Sequence, residues 1–301
     1  MSPAAKVSRT KEGRINVPGG KVWYKTVGVG RKGIPVLTLH GGPGSPHDYL
    51  EPLEALSTDR PITFYDQLGC GNSDNLDDTS LWTIDRFVEE LSAVRRFLRL
   101  SKVHILGSSW GTLLAVEYLL RKKPRGVISL VLSSPILSAS RYASDVRSCI
   151  SVLPGKARRI ILEGLAASNF EKPEYRDAMM LFNKRHMCRL DPWPDCVNRT
   201  FQRIAESVYV YMWGPTMLTI TGTLRGFELV DRLKEVKVPT LLTVGRHDYI
   251  SPETARYYHS MLPDSEVHVF EGASHIHNVE REDEYVRVVG DFLVREERRM
   301  E

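Results

Sequence analysis

The stretch VHILGSSWGTLLAVEYLL, from Val103 to Leu120, constrains the fold of this chain more than any other. It begins as an apolar run at 103–109, which predicts a strand that is buried on both faces. It then turns through two serines between Gly107 and Gly111 and continues with helical periodicity. A strand that passes at once through a sharp turn into a helix indicates a sheet of parallel strands joined by helical crossovers.

The same alternation recurs along most of the chain. We predict further strands at 21–28, 34–41, 61–67, 126–135, 238–248 and 265–272, and helices at 83–100, 251–262 and 282–297. The predicted fold class is therefore α/β, a mostly parallel sheet flanked by helices. The first 20 residues are expected to form a short frayed tail, because they show neither an apolar core nor the features of a secretion signal.

The alternation is interrupted once. From Ile136 to Leu229 the sequence is helical, rich in Met, Arg and aromatic residues, and has no clear buried strand. We predict a single catalytic domain made of residues 1–135 and 230–301, with residues 136–229 inserted as a helical cap. Such a cap would cover the ends of the strands, where α/β folds bind their ligands.

Charge and cysteine content exclude several classes of function. Lys and Arg total 41 against 37 Asp and Glu, and the basic run Arg121 to Arg125 falls where a helix should end and cations favour its dipole. We therefore predict no nucleic-acid partner. No apolar stretch reaches the length of a membrane helix, so no membrane association is expected either. The four scattered cysteines form neither a disulfide framework nor a zinc motif, which favours a cytoplasmic protein without a metal site.

The sequence GSSWG fits the pattern G-x-S-x-G with Ser109 at its centre. In this arrangement a serine on a strained strand-to-helix turn is exposed as a nucleophile. It requires a histidine base and an acid to orient that base, and in this fold the chain order is serine, acid, histidine, with each residue after a later strand. Asp248 and His275 fit that order. His277 is the one rival for the base, because it lies only two residues away.

The oxyanion that forms during attack by a serine requires two preorganised N–H donors. One is expected from Trp110, the residue after the nucleophile, and the other from the loop HGGPG, where we assign it to Gly42. His40 in that loop is interpreted as a structural hydrogen-bonding residue.

Six motifs together resemble the proline iminopeptidase family of α/β hydrolases. They are HGGPG (40–44), YDQLGCGNSD (65–74), GSSWG (107–111), MWGP (212–215), TGTL (221–224) and GASH (272–275). The resemblance covers nearly the whole chain and implies the α/β-hydrolase fold and a cofactor-free serine peptidase that removes an N-terminal residue, often proline, from short peptides. Its catalytic pattern coincides with Ser109, Asp248 and His275, and its oxyanion donors with Gly42 and Trp110.

The chain departs from this family where the substrate amine is recognised. Family members use one glutamate in a G-P-x-E-F pattern and a second directly after the catalytic aspartate, whereas Met217 and Tyr249 stand at those positions here. Three interpretations are open. Another acid such as Glu206 or Glu228 replaces them, Tyr249 holds the amine through a cation–π contact, or the substrate carries no free amine.

The prediction is a serine hydrolase of the proline iminopeptidase type, which cleaves an N-terminal proline, another small residue or an amino-acid amide through an acyl-enzyme on Ser109. Gly41, Met217, Tyr249 and Trp193 are expected to contact this small-molecule or short-peptide substrate. The alternative is an esterase, lactonase or amidase for a neutral acyl group, and a more distant one is a non-catalytic ligand-binding protein. The sequence leaves the oligomeric state open.

Overall fold

The computed structural model describes residues 9–300, and within them the chain forms one eight-stranded sheet with the order β1-β2-β4-β3-β5-β6-β7-β8. β1 and β2 run antiparallel to their neighbours, and the remaining strands are parallel from β4 to β8. The strands are β1 (Thr10–Val17), β2 (Gly20–Val27), β3 (Val36–Leu39), β4 (Ile62–Tyr65), β5 (Val103–Ser108), β6 (Val127–Ser133), β7 (Thr240–Gly245) and β8 (Ser265–Phe270).

Helices alternate with the strands of the parallel part and also fill the segment between β6 and β7. The α-helices are α1 (Ile84–Phe97), α2 (Trp110–Lys122), α3 (Ala139–Ser151), α4 (Gly155–Ala167), α5 (Pro173–His186), α6 (Asp195–Gln202), α7 (Glu206–Met212), α8 (Pro252–Met261), α9 (His277–Glu280) and α10 (Glu282–Arg298). Short 3₁₀ helices cover His47–Thr58, Thr79–Leu81 and Val230–Glu235. No helix among residues 9–300 is both long enough and apolar enough to cross a membrane.

The apolar core lies on both faces of the sheet, because successive side chains of a strand point to opposite faces. On β6, Leu130 and Leu132 pack into one cluster, and Val131 packs into the other. The first cluster includes side chains of α1 and α2, and the second includes side chains of α10. Because both faces of the sheet are covered, the ends of its strands are the part that stays accessible. The parallel strands β5, β7 and β8 have their carboxyl ends at the same edge of the sheet.

Helices α3 to α7 cover that edge. The chain enters and leaves this region side by side, because Ser138 pairs with Glu228 and the amide of Leu229 donates to the carbonyl of Leu137. Further along, the amide of Ala205 donates to the carbonyl of Gly44 at 2.9 Å, so the helical region is tied to the loop after β3. The predicted boundaries of a cap at 136 and 229 stay a prediction, and we use the word cap below for helices α3 to α7.

The predicted frayed N-terminus is wrong for residues 10–17, which form β1. Residues 1–8 lie outside the described residues. β1 is an edge strand that pairs along its full length with β2, from Thr10 opposite Val27 to Val17 opposite Gly20. Only Ile15 of this strand is buried, so the sequence lacks the apolar alternation by which a strand is predicted.

Candidate active site

Ser109 lies on a strained turn between β5 and α2. Its backbone angles, φ 55° and ψ −120°, fall in a region that side-chain-bearing residues rarely adopt. The two glycines of the motif permit the crossing of strand and helix: a Cβ atom on Gly107 would overlap with the carbonyl oxygen of Gly111, and one on Gly111 would overlap with the carbonyl oxygen of Leu39. The local sequence thus holds the hydroxyl of Ser109 at the end of the sheet.

His275 and Asp248 form a buried pair beside this turn. Nδ1 of His275 lies 2.9 Å from Oδ1 of Asp248. The carboxylate also accepts hydrogen bonds from the amide of Ile250 at 2.9 Å and from the hydroxyl of Ser134 at 2.6 Å. A carboxylate held by several donors orients an imidazole, as a base that serves a nucleophile requires.

Sequence reasoning missed Ser134. It follows β6, which lies between the strand of Ser109 and the strand of Asp248. Residues that follow neighbouring parallel strands meet at one edge of the sheet, so its position after β6 was the available signal.

The rival histidine, His277, is fully buried, and among the described residues its ring bonds to neither Asp248 nor Ser109. Its Nε2 is 2.9 Å from the hydroxyl of Thr243 and 3.1 Å from that of Ser133. Burial lowers the pKa of His277 to about 4, so it is a neutral structural residue at neutral pH.

His40 is also structural, as the sequence indicated. Its Nε2 accepts the amide proton of Gln67 at 2.8 Å, and its Nδ1 lies 3.0 Å from the carbonyl oxygen of Gly41. Gln67 in turn accepts a hydrogen bond from the indole of Trp110 at 2.9 Å. Burial lowers the pKa of His40 to about 4. The network fixes the loop after β3 relative to the turn that carries Ser109.

The two expected oxyanion donors lie in this network. Gly42 has φ +108°, and a Cβ atom there would lie 2.6 Å from the nitrogen of Ser45, so only glycine fits. Trp110 is the first residue of α2, where backbone N–H groups point away from the helix and favour negative charge. Within residues 9–300, neither amide donates to another protein group.

Ser109, His275, Gly41 and Gly42 line one cavity of about 110 Å³ beneath the cap. The other lining residues are polar but uncharged or apolar, many of them aromatic: Ser45, Tyr49, Ile136, Tyr142, Met187, Val197, Thr200, Phe201, Ile204, Tyr209, Trp213, Met217, Tyr249 and Ile276. Among the described residues, no Asp, Glu, Lys or Arg lines this cavity. We refer to it as the active-site cavity.

Met217 and Tyr249, which stand where the resemblance placed glutamates, both line the cavity. The hydroxyl of Tyr249 lies 2.7 Å from Nε2 of His275, and the two rings stack with centroids 4.1 Å apart. Burial raises the pKa of Tyr249 well above its ordinary value, although a hydrogen-bonding contact with Ser109 lowers it in part. The sequence predicted that Tyr249 faces the site but gave no sign of its bond to His275.

Three expectations about the cavity are corrected. Trp193 does not line it: the indole donates to the carbonyl of Cys188 and packs against Phe201, which does line it. The candidate replacement acids are also elsewhere, since Glu206 is exposed and Glu228 accepts a hydrogen bond from the amide of Ser140. Neither contributes a charge to the described cavity lining.

No group of three or more His, Cys, Asp or Glu side chains within residues 9–300 is arranged to hold a metal ion.

The fold and the strained serine beside a buried His–Asp pair define the class as a serine hydrolase on an α/β scaffold. A model of the alpha/beta hydrolase fold family matches residues 34–282. The proline iminopeptidase of Heyndrickxia coagulans is 43% identical over 284 residues, which cover 94% of this chain and 98% of that protein. The crystal structure of the Mycobacterium smegmatis proline iminopeptidase superposes with a TM-score of 0.90 at 31% identity, covering 97% of this chain and all of that one. The chain belongs to the proline iminopeptidase family of α/β hydrolases.

A more distant structure shares the fold alone. An esterase from a Rhodococcus species superposes with a TM-score of 0.70 at 19% identity and covers 96% of this chain.

Proposed function

We propose that this chain hydrolyses the amide bond that follows an N-terminal proline or another small residue, through an acyl-enzyme on Ser109. The proposal is supported by one observation above all: the side chains of Ser109 and His275 and the backbone of Gly42 meet in a single small cavity. The similarity to proline iminopeptidases over nearly the full length of the chain favours an amide substrate.

In the proposed mechanism Ser109 attacks the carbonyl carbon and its proton passes to His275. Asp248 holds the imidazole and stabilises its positive charge. The amides of Gly42 and Trp110 donate to the oxyanion. When the tetrahedral intermediate collapses, the proton on His275 passes to the leaving amine. Water then attacks the acyl-enzyme and gives its proton to His275. The tetrahedral intermediate collapses, the proton returns to Ser109, and the acid is released.

The size of the cavity supports a small acyl group. About 110 Å³ is well below the roughly 300–1,000 Å³ of sites that hold drug-sized ligands. The lining is dominated by aromatic and aliphatic side chains, which suits the ring of a proline or a short aliphatic acyl group.

A second candidate function is supported by the uncharged lining. Hydrogen bonds to charged groups contribute about 1.5–3 kcal/mol each, and an amine in this cavity has no carboxylate among the described lining residues to pair with. An ester, lactone or amide with a neutral acyl group would lose no binding free energy through the lack of a carboxylate. The test must therefore distinguish activity on a neutral acyl substrate from activity on a substrate with a free amine.

The test compares kcat/KM for proline p-nitroanilide, N-acetylproline p-nitroanilide and a short-chain p-nitrophenyl ester, with Ser109→Ala as the blank. The peptidase proposal expects the free-amine substrate to be preferred and N-acetylation to abolish its turnover. Turnover of the ester and the N-acetyl compound alone would establish the neutral-acyl alternative. Full activity of Ser109→Ala on every substrate would contradict both.

We also propose that the chain works on small substrates in a reducing compartment such as the cytoplasm. The cysteines Cys70, Cys149, Cys188 and Cys196 all carry free thiols, and such thiols persist where glutathione and thioredoxin keep them reduced. Counting alkylated thiols in the protein isolated from its own cells checks this, and a recovered disulfide would contradict it.

A further inference from the structure

The side chain of Gln67 bridges the two backbone segments that carry the oxyanion donors. Its Oε1 accepts a hydrogen bond from the indole Nε1 of Trp110 at 2.9 Å. Its Nε2 donates to the backbone carbonyl of His40 at 3.2 Å, in the loop that also carries Gly42. An indole nitrogen can only donate, so the oxygen of the Gln67 amide faces Trp110 and its NH₂ group faces His40. The amide of Gln67 therefore fits this position in one orientation only.

The backbone of Gln67 fixes the tautomer of the His40 ring. The amide N–H of Gln67 donates to Nε2 of His40 at 2.8 Å, so Nε2 is an acceptor. Burial lowers the pKa of His40 to about 4, so the ring is neutral at neutral pH and its one proton is on Nδ1. Nδ1 therefore donates to the carbonyl of Gly41 at 3.0 Å.

The bond from His40 to Gly41 sets the direction of the Gly42 amide. A peptide unit is planar and almost always trans, so its N–H points away from its C=O. The carbonyl of Gly41 and the amide of Gly42 belong to one such unit. Because His40 holds the carbonyl at one end of the unit, the N–H at the other end has a fixed direction.

Gln67 is itself held firmly. Its side chain is buried, with 1% exposed, so solvent water has little access to replace either of its hydrogen bonds. The residues on both sides are anchored as well. The carboxylate of Asp66 accepts the amide of His47 at 2.9 Å, and the amide of Leu68 donates to the carboxylate of Glu90 at 3.2 Å. The bridge therefore rests on a fixed segment.

Resting on the serine-hydrolase mechanism proposed above, we propose that Gln67 is a positioning residue that sets the separation and direction of the oxyanion donors, the amides of Gly42 and Trp110. Gln67 does not line the active-site cavity, so it acts through these two segments and not on the substrate. Oxyanion donors stabilise the transition state only when they are aimed at the charge that develops there. Loss of the bridge should therefore reduce stabilisation of the transition state and leave ground-state binding unchanged.

The experiment compares wild type with three variants. Gln67→Met keeps the length of the side chain and removes both hydrogen bonds of the bridge. Trp110→Phe removes the indole donor at one end and keeps the backbone amide. Ser73→Ala is the matched control for a general loosening of the Gln67 segment. Ser73 is also buried, and its hydroxyl donates to the carbonyl of Asp66 at 2.5 Å and accepts the amide of Trp23 at 2.8 Å, but it bonds to neither donor segment.

The readouts separate stabilisation of the oxyanion from binding in the cavity. The first is kcat and KM for whichever of proline p-nitroanilide and a short-chain p-nitrophenyl ester the wild type turns over faster. The second is the inhibition constant of two compounds with the acyl skeleton of that substrate, a trifluoromethyl ketone and the corresponding alcohol. Ser109 adds to the ketone carbon, and the carbonyl oxygen becomes an oxyanion, whereas the alcohol occupies the cavity without forming that bond.

Removal of one oxyanion donor costs about 10²–10³-fold in kcat, and a displaced donor should cost less. We therefore expect Gln67→Met to lower kcat by on the order of 10- to 100-fold and to raise the inhibition constant of the ketone by a similar factor. KM and the inhibition constant of the alcohol should stay within about twofold of wild type. Trp110→Phe should show a smaller loss, and the double variant should lose no more than Gln67→Met alone, because both changes act on one bridge.

A wild-type kcat in Gln67→Met would overturn the proposal. An equal loss of kcat in Ser73→Ala would also overturn it and would identify a general loosening of the segment. So would an equal rise in the inhibition constants of ketone and alcohol. If Gln67→Met does not fold, Trp110→Phe decides the question by the same comparison. A wild type that forms no adduct with the ketone, or activity of Ser109→Ala, would instead refute the proposed function.

Discussion

Replacement of Met217 by glutamate is expected to create an amine-binding charge in the active-site cavity. Met217 lines the cavity and is only partly buried, and the hydroxyl of Tyr142 bonds to its backbone carbonyl. The backbone at this position is therefore anchored independently of the side chain. The resemblance to proline iminopeptidases places a glutamate at this same position, so its carboxylate would face the substrate.

The expected gain follows from the charge that the cavity lining lacks. A charge-assisted hydrogen bond contributes about 1.5–3 kcal/mol, which corresponds to a roughly 10- to 150-fold rise in kcat/KM for a free-amine substrate. Desolvation of the new carboxylate in an apolar lining opposes part of this gain. We therefore expect an effect in the lower half of that range.

The assay is the ratio of kcat/KM for proline p-nitroanilide to that for its N-acetyl derivative. Met217→Gln is the matched control, because it has nearly the same shape as glutamate without the charge. The ratio should rise in Met217→Glu and not in Met217→Gln. An equal rise in both variants, or no rise in a Met217→Glu protein whose Ser109 is still labelled by a phosphonate, would refute the idea that this cavity lacks only a negative charge at this position.

Three further outcomes are expected. Asp248→Asn should lower kcat by about 10⁴-fold with little change in KM, because the hydrogen bond that sets the His275 tautomer is lost; steady-state kinetics on the ester decides this, and a loss below tenfold would contradict it. Trp193→Phe should change the activation free energy derived from kcat/KM by less than about 0.5 kcal/mol, since the indole lies outside the cavity lining. A large rise in KM would count against that placement. Burial lowers the pKa of His104 to about 4, so the unfolded chain binds more protons below pH 6.5 and stability is lost as the pH falls from 6.5 towards 4. This residue should lower the free energy of unfolding by about 2 kcal/mol between pH 7 and pH 5; urea unfolding of wild type and His104→Gln at both pH values measures it, and equal pH dependence in the two proteins would refute it.

The parallel part of the fold was predictable because its strands are buried on both faces. The sequence of β5 predicts a strand at 103–109, and the structure has Val103–Ser108, every residue of which is buried. β1 was not predictable for the opposite reason: it carries charged residues, buries only Ile15 and is stabilised by its pairing with β2. The 3₁₀ helix at His47–Thr58 contains Pro52, and its buried leucines Leu50, Leu53 and Leu56 recur every three residues, so it does not match the 3.6-residue period by which α-helices are predicted.

The meeting of Ser109, Asp248 and His275 was predictable from topology. Each follows a parallel strand, and β5, β6, β7 and β8 are consecutive neighbours in the sheet, so their carboxyl ends converge. The direction of individual side chains was not predictable. Trp193 is turned towards Cys188 by a hydrogen bond within its own loop, and the hydroxyl of Tyr249 reaches His275 in the loop after the next strand. Neither direction is encoded by an apolar period in the sequence.

Position 217 is the simpler of the two positions at which to add an amine-binding carboxylate to this chain. A glutamate at position 249 would remove the phenol that bonds to Nε2 of His275 and would place a negative charge beside His275 and Asp248. Position 217 carries no such conflict, since its side chain makes no described hydrogen bond to Ser109, His275 or Asp248. Met217→Glu therefore changes the charge of the active-site cavity and leaves the hydrogen bonds of His275 with Asp248 and Tyr249 intact.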